Sequence, residues 1–293
     1  MRIGISSTDF PQMPADRMFG QMAGYGFQVI QLGLTNLTES GFIKDGVYEI
    51  PDVIGGGLVG SAMSAKRRGL DIVALNGTFN MAYPDERVRA EGVRRFGLLA
   101  AAAVELGCGI ITLCSGTRNK SHLWAPHPGN SEPSAWADMS DTLLRLAEIA
   151  ERYGINIAIE TEASNVIDTP EKAKRALDET CSGKVGMIMD CANLFRRGEA
   201  FRANADRRIK KAFELYGDRV ILAHGKDILE SEEPSFCAPG EGIVNYGLFL
   251  RLLNEYGYAG DMILHGIKEP SKMPAALEFM RASGFHPAEY GRQ

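Results

Sequence analysis

The sequence predicts an α/β protein, a (β/α)8 TIM barrel in which eight parallel strands close into a ring inside eight helices. Three observations carry this. Strand-type and helix-type patterns alternate eight times along the chain, at spacings of about 25 to 45 residues, which is the signature of a parallel sheet. The 293 residues suit one barrel of eight such units, a single domain over 1–293 with no linker to divide it. The first strand is not followed by Gly-x-Gly-x-x-Gly, the phosphate-binding turn of the open, doubly wound alternative.

Arg2–Ser7 alternates apolar and small residues and reads as strand one; a helix follows over Pro14 to Tyr25. Phe27–Leu34 is strand two. Thr35 to Gly60 is loop-like, with Asn36, Gly41, Asp45 and Gly46, and gives way to a helix around Val59 to Arg68. The glycines at 55–57 suit a turn or a helix start better than a phosphate cradle, because no strand leads into them. Asp71–Asn76 is strand three. Asp85 caps the next helix, whose buried stripe is Val88, Gly92, Phe96, Leu99, Ala103 and Leu106, and Gly107 ends it. Gly109–Leu113 is strand four, followed by a long polar and aromatic loop to Pro133 with His122, Trp124 and His127, a length typical of lids.

Ser134 is placed to cap a helix running through Trp136, Met139, Leu143 and Leu146 to Tyr153, with Gly154 as its stop. Asn156–Ile159 is strand five and ends in Glu160. Alternation puts Glu160 and Glu162 on one face and Ile157, Ile159 and Thr161 on the other. Thr169–Pro170–Glu171 starts a helix with a capping hydroxyl and a proline at its first position. Val185–Met189 is strand six and ends in Asp190. The helix around Arg208–Tyr216 leads to strand seven, Val220–Ala223, which ends in His224–Gly225–Lys226–Asp227. Asn245 caps a helix through Leu248, Leu252 and Leu253; Met262–Leu264 is strand eight, ending in His265; a last helix carries Ala276, Phe279 and Met280.

Bulk properties narrow the function. An apolar content of 45% with 24% charged residues is that of a globular protein with a large core. A net charge of −5 opposes non-specific nucleic-acid binding. The five cysteines form no Cys-x-x-Cys pair and their number is odd, as expected for reduced thiols in a cytoplasmic protein. Met1–Ile5 enters a strand directly with no cleavable apolar segment, and no apolar run is long enough for a membrane.

In such a barrel the C-terminal strand ends share one mouth. There stand Asn80 after strand three, Arg118 after four, Glu160 at five, Asp190 at six, His224 at seven and His265 at eight. Singly, each has a structural use: Asp190 as a helix cap, Glu160 paired with Lys226 or Arg118, a histidine as a hydrogen-bonded structural residue. Together on consecutive strands, carboxylate and imidazole ligands suit a divalent ion such as Mn²⁺, Co²⁺, Zn²⁺ or Fe²⁺. Glu162 reads as peripheral, and Cys191, one past Asp190, as core.

Ile157–Ala158–Ile159–Glu160, Met189–Asp190–Cys191–Ala192–Asn193 and Ala223–His224–Gly225–Lys226–Asp227 resemble the motifs of the xylose-isomerase-like barrel superfamily, which holds sugar isomerases, sugar epimerases and abasic-site endonucleases. Gly77–Thr78–Phe79–Asn80, Pro84–Asp85, Gly116–Thr117–Arg118 and Leu264–His265–Gly266–Ile267–Lys268–Glu269 resemble a bacterial branch of sugar phosphate isomerases/epimerases. The resemblance implies a divalent ion held by Glu160, Asp190 and His224, and a small sugar or polyol substrate. In the ketose epimerases of the superfamily a Glu at the end of strand eight is the fourth ligand, and it moves protons opposite the strand-five Glu. Here His265 stands at that position, and Asn193 replaces a substrate-binding His.

A His265 bound to metal has no free lone pair and cannot act as a base, leaving Glu160 or Lys226 to move protons; an unbound His265 replaces the second carboxylate. The first case fits one-base isomerisation or dehydration of a cyclic polyol ketone. The expectation is therefore a metal-dependent sugar isomerase or epimerase. Its catalytic residues are Glu160, His265 and Lys226, its metal ligands Glu160, Asp190, His224 and His265. Its substrate contacts are Asn80, Arg118, His127, Asn193 and Lys226, with Trp124 and His127 as a lid. An endonuclease is disfavoured by only five histidines and the acidic balance. A non-catalytic sugar-binding barrel is the remaining alternative. The resemblance implies that the chain associates as a homo-oligomer, as barrels of this kind often do, and the Trp124 to Trp136 region offers apolar material for such a contact.

Overall fold

The computed structural model describes residues 1–37, 43–44, 47–48 and 56–284. Among these, the strands of the ring are β1 (Ile3–Ser6), β2 (Val29–Leu32), β3 (Asp71–Asn76), β4 (Ile110–Cys114), β5 (Asn156–Glu160), β6 (Val185–Asp190), β7 (Val220–Gly225) and β8 (Met262–Leu264). They are parallel, each lies beside its neighbours in sequence, and β8 pairs back onto β1 through Ile3–Met262 and Ile5–Leu264 to close a TIM barrel. The outer helices are α1 (Ala15–Tyr25), α2 (Gly56–Arg67), α3 (Glu86–Leu106), α4 (Pro133–Tyr153), α5 (Pro170–Thr180), α6 (Arg202–Tyr216), α7 (Tyr246–Glu255) and α8 (Met273–Ala282). Short antiparallel hairpins at Ile43–Lys44/Val47–Tyr48 and Asp227–Ile228/Phe236–Cys237 stand outside the ring.

Local chemistry sets the helix ends. The Asp85 carboxylate accepts from the Arg87 N–H to start α3, and Gly107 closes it at φ 68°. Thr169 accepts from Lys172 N–H ahead of Pro170 in α5, and Gly154 closes α4 at φ 71°. Ser134 is not the cap of α4: Pro133 takes the first helical position and Glu132 precedes it. The helix expected around Arg208 begins at Arg202, and the one expected from Val59 begins at Gly56; Gly55 lies outside the described residues. In α3 the stripe starts at Arg89 rather than Val88. Val88 is 46% exposed, while Arg89 is buried on Asp138 of α4 at 2.9 Å. Gly92 sits against the face of Phe79, where a Cβ would overlap the ring.

The core has two parts. Outward-facing strand residues such as Ile157, Ile159, Met187 and Met189 pack under the helices. The inward set is smaller: Val29, Ala74, Ala158, Ile188, Leu222 and Ile263. They plug the ring and make a dry floor. Two residues further along their strands, on the same inward face, come Gln31, Asn76, Glu160, Asp190, His224 and His265. The polar layer of the mouth is thus the strand alternation continued one step past the plug. Among the described residues no helix is long and apolar enough to cross a membrane.

Candidate metal centre

Glu160, Asp190 and His224 bring one ligand atom each to within 4.8 Å of one another. The ladder pairs Asp190 directly with His224. His224 Nδ1 lies 3.0 Å from Glu160 Oε1 and 3.6 Å from Asp190 Oδ2, and Lys226 Nζ lies 3.1 Å from Asp190 Oδ2. Asp190 Oδ1 accepts from the backbone N–H groups of Ala192 (2.9 Å) and Asn193 (3.3 Å). Those bonds fix the carboxylate and leave Oδ2, buried and without a directed hydrogen bond, turned to the cluster.

The electrostatics are those of carboxylates crowded out of water around two cations. Burial disfavours the imidazolium of His224, but Glu160 and Asp190 outweigh it and push its pKa up to about 9. Burial likewise opposes the charge of Lys226, yet Asp190, Glu160 and Glu162 hold it raised. Asp190 is held well below the usual carboxylate range: burial works against its charge and Lys226 and His224 prevail. Glu162 goes the other way, to about 8, through burial and the neighbouring charge of Glu160. Two carboxylates and an imidazole converging with a buried oxygen lacking a directed donor form a donor set that fits a divalent ion.

His265 is not part of that close group. The ladder places Ile263 beside His224, so His265 lies two positions beyond it, the same offset by which Asp190 lies beyond Ile188, the partner of Glu160; its contact with Asp9, not its depth, sets it apart. Its ring meets that of His224 edge-on at 5.7 Å between centroids. Its Nδ1 is 3.0 Å from Asp9 Oδ1, and Asp9 Oδ2 accepts from Ile267 N–H at 2.9 Å. Asn193 donates to Glu162 Oε1 at 2.9 Å, which draws Glu162 from the periphery into contact with the site.

The remaining expected contacts serve loops. Asn80 bridges to the β4–α4 loop, with Oδ1 accepting from Thr117 N–H and Nδ2 donating to Thr117 O. Gly116, at φ 81°, lets Asn80 approach where any side chain would collide. Arg118 donates to Asp138 at 2.6 Å and to Ala82 O at 3.0 Å. His127 accepts from Gly129 N–H to cap the short turn Pro128–Ser131. Asn165 ties the loop carrying Glu162 to Gly116 N–H and Leu123 O, next to Trp124, which is 48% exposed. Trp136, in contrast, is buried and donates to Glu179, so it is not available for association.

Three neighbours escaped the sequence reading. Gln31 Oε1 is 2.8 Å from His224 Nε2. Asp9 holds His265 from the turn Ser7–Asp9. Phe236 lies over Lys226 Nζ, 4.3 Å from the ring centroid. Gln31 was open to discovery as a polar residue inside an apolar strand, whereas Asp9 lies in a turn and Phe236 in a two-residue strand outside the ring, where spacing carries no signal.

The family described as xylose isomerase-like TIM barrel matches residues 20–283. By sequence, the chain is similar to the inosose dehydratase of Geobacillus thermodenitrificans, 23% identical over 144 residues, which are 46% of this chain and 48% of that protein. The chain spans about half the length of the curated relatives it matches. By structure it is similar to the 3-keto-D-glucoside 4-epimerase YcjR from E. coli, at TM-score 0.73 and 17% identity, covering 96% of this chain and 99% of the other. It is also similar to the IolI protein solved with a zinc atom, at TM-score 0.70 and 18% identity, covering 97% and 96%.

Proposed function

This chain belongs to the xylose isomerase-like TIM-barrel family, and on that premise we propose that it is a divalent-metal-dependent isomerase or epimerase acting on a ketose, a sugar phosphate or a polyol ketone. The observation that carries the reading is the convergence of Glu160, Asp190 and His224 at the barrel mouth. Bound there, a Mn, Co, Zn or Fe ion would supply the positive charge that stabilises an oxyanion developing on the substrate.

The chain's own residues then divide the work. Glu160, on the wall above the apolar plug, takes the proton from the carbon beside the carbonyl. Lys226, buried and kept charged, holds Asp190 ionised and faces the substrate oxygen. His265 supplies the proton on the second face. It lies outside the close group of Glu160, Asp190 and His224, and with Nδ1 engaged by Asp9 its Nε2 is the nitrogen left for proton transfer. Asn193 and Lys226 contact substrate directly, while Asn80, Arg118 and His127 act on it through the loop they brace.

A second reading is favoured by the sequence relatives. The same proton abstraction on a cyclic polyol ketone, followed by loss of the neighbouring hydroxyl as water with the proton of His265, is dehydration. Metal-stripped protein reloaded with Mn²⁺ and offered a panel of ketoses, ketose phosphates and inososes tests both, read by product identity. Glu160→Gln and Asp190→Asn are expected to lose metal and turnover together. A wild-type protein that takes up no divalent ion at micromolar concentration overturns the proposal.

A further inference from the structure

We infer that Gln31, on the far wall of the barrel, selects the nitrogen through which His224 holds the ion. The inference rests on the metal reading above. Gln31 is inward-facing on β2 and 5% exposed. The two ring nitrogens of His224 have different surroundings: Nδ1 faces Glu160 and Asp190, and Nε2 faces Gln31 Oε1 at 2.8 Å.

An amide can present either its oxygen or its NH₂ to an imidazole, and the two choices demand opposite tautomers. Here the choice is fixed by what the amide nitrogen meets. The Leu75 carbonyl oxygen only accepts, so the Thr112 hydroxyl, 3.4 Å away, spends its proton there. Thr112 Oγ1 then accepts, and its partner at 3.5 Å is Gln31 Nε2. That turns the Gln31 carbonyl towards His224 and requires a proton on Nε2. The relay starts on the backbone of β3, passes through β4 and β2, and ends on β7. Its three side chains are all buried.

The consequence concerns Nδ1. With its Nε2–H kept on Gln31, neutral His224 would offer the Nδ1 lone pair, on the side of Glu160 and Asp190, to an ion. Without Gln31, neutral His224 is drawn to the opposite tautomer, because Glu160 and Asp190 both attract a proton to Nδ1. That tautomer aims N–H at the ion. Gln31 is thus a positioning residue for metal binding.

The test is calorimetric titration of the metal-stripped full chain with Mn²⁺ and with Zn²⁺, joined to long-range ¹⁵N–¹H spectra of its histidines in the Zn²⁺ form. Gln31→Leu, close in shape and unable to accept, is expected to weaken binding by about 10–100-fold. Gln31→Glu, which accepts more strongly, should bind at least as tightly as wild type. The spectra should show His224 protonated at Nε2 and metallated at Nδ1. Equal affinity of Gln31→Leu and wild type, or metallation at Nε2, overturns the inference while leaving the metal reading intact. A wild type that binds neither ion removes both. Should Gln31→Leu not fold, Thr112→Val, which unfixes the amide, and the wild-type spectra still decide.

Discussion

Lys226 shows how one residue ties stability to function. Its ammonium is buried beside Asp190 under the ring of Phe236. Lys226→Met removes the nearer of the two cations that hold Asp190 ionised and is expected to cost about 3–5 kcal/mol in denaturant unfolding of the metal-free protein. Added Mn²⁺ should restore part of the loss, since a cation at Asp190 replaces the missing charge. Asp9→Asn makes a different prediction: an unchanged Mn²⁺ affinity with turnover reduced by about 10²–10⁴-fold, the range of a lost acid–base contribution. If Asp9→Asn instead releases metal, His265 belongs among the ligands. The inward alternation that locates Glu160 applies equally to Gln31, but reading strand two on to Leu34 placed its mouth end past the glutamine. Asp9 was out of reach because it meets His265 only through closure of the ring.

At the scale of elements, the loops after β4 and β5 are fastened to each other and to the helices behind them. Arg118 and Arg89 converge on Asp138 of α4, and Asn165 joins the two loops. Arg118 carried a positive charge at a mouth position in the sequence, which is what a substrate contact looks like; that the charge is answered by Asp138 twenty residues on is a fact of packing. The same holds for Val88, which keeps helical spacing yet faces out because Arg89 takes the inward place. Gly92→Ala is expected to destabilise by about 1–3 kcal/mol by pushing α3 off Phe79, seen as a lower denaturation midpoint with an unchanged slope. An unchanged midpoint would mean that α3 shifts freely.

For the whole molecule, the eight-fold alternation was legible because the strand–helix units carry apolar runs, set off by caps at Asp85, Thr169 and Asn245 and by glycine stops at Gly26, Gly107 and Gly154. What the pattern could not give was the side-chain partner at each strand end. Asp190 and His265 stand at the same ladder offset from their neighbours, yet Asp190 joins Glu160 and His224 while His265 pairs with Asp9. A shared ion acts on the barrel as a unit. At a concentration of 1,000 times Kd it should stabilise the fold by about 4 kcal/mol and raise Tm by on the order of 8 °C, as read by calorimetric scans with and without Mn²⁺. No shift under saturating metal would sever the centre from the fold. The contacts of the site also differ in their reach along the chain. Glu160, Asp190 and His224 arise within one continuous stretch of chain, but Gln31 meets His224 across 193 residues and Asp9 meets His265 across 256. The Asp9–His265 pair requires β8 sealed against β1, so turnover reports completed closure of the ring.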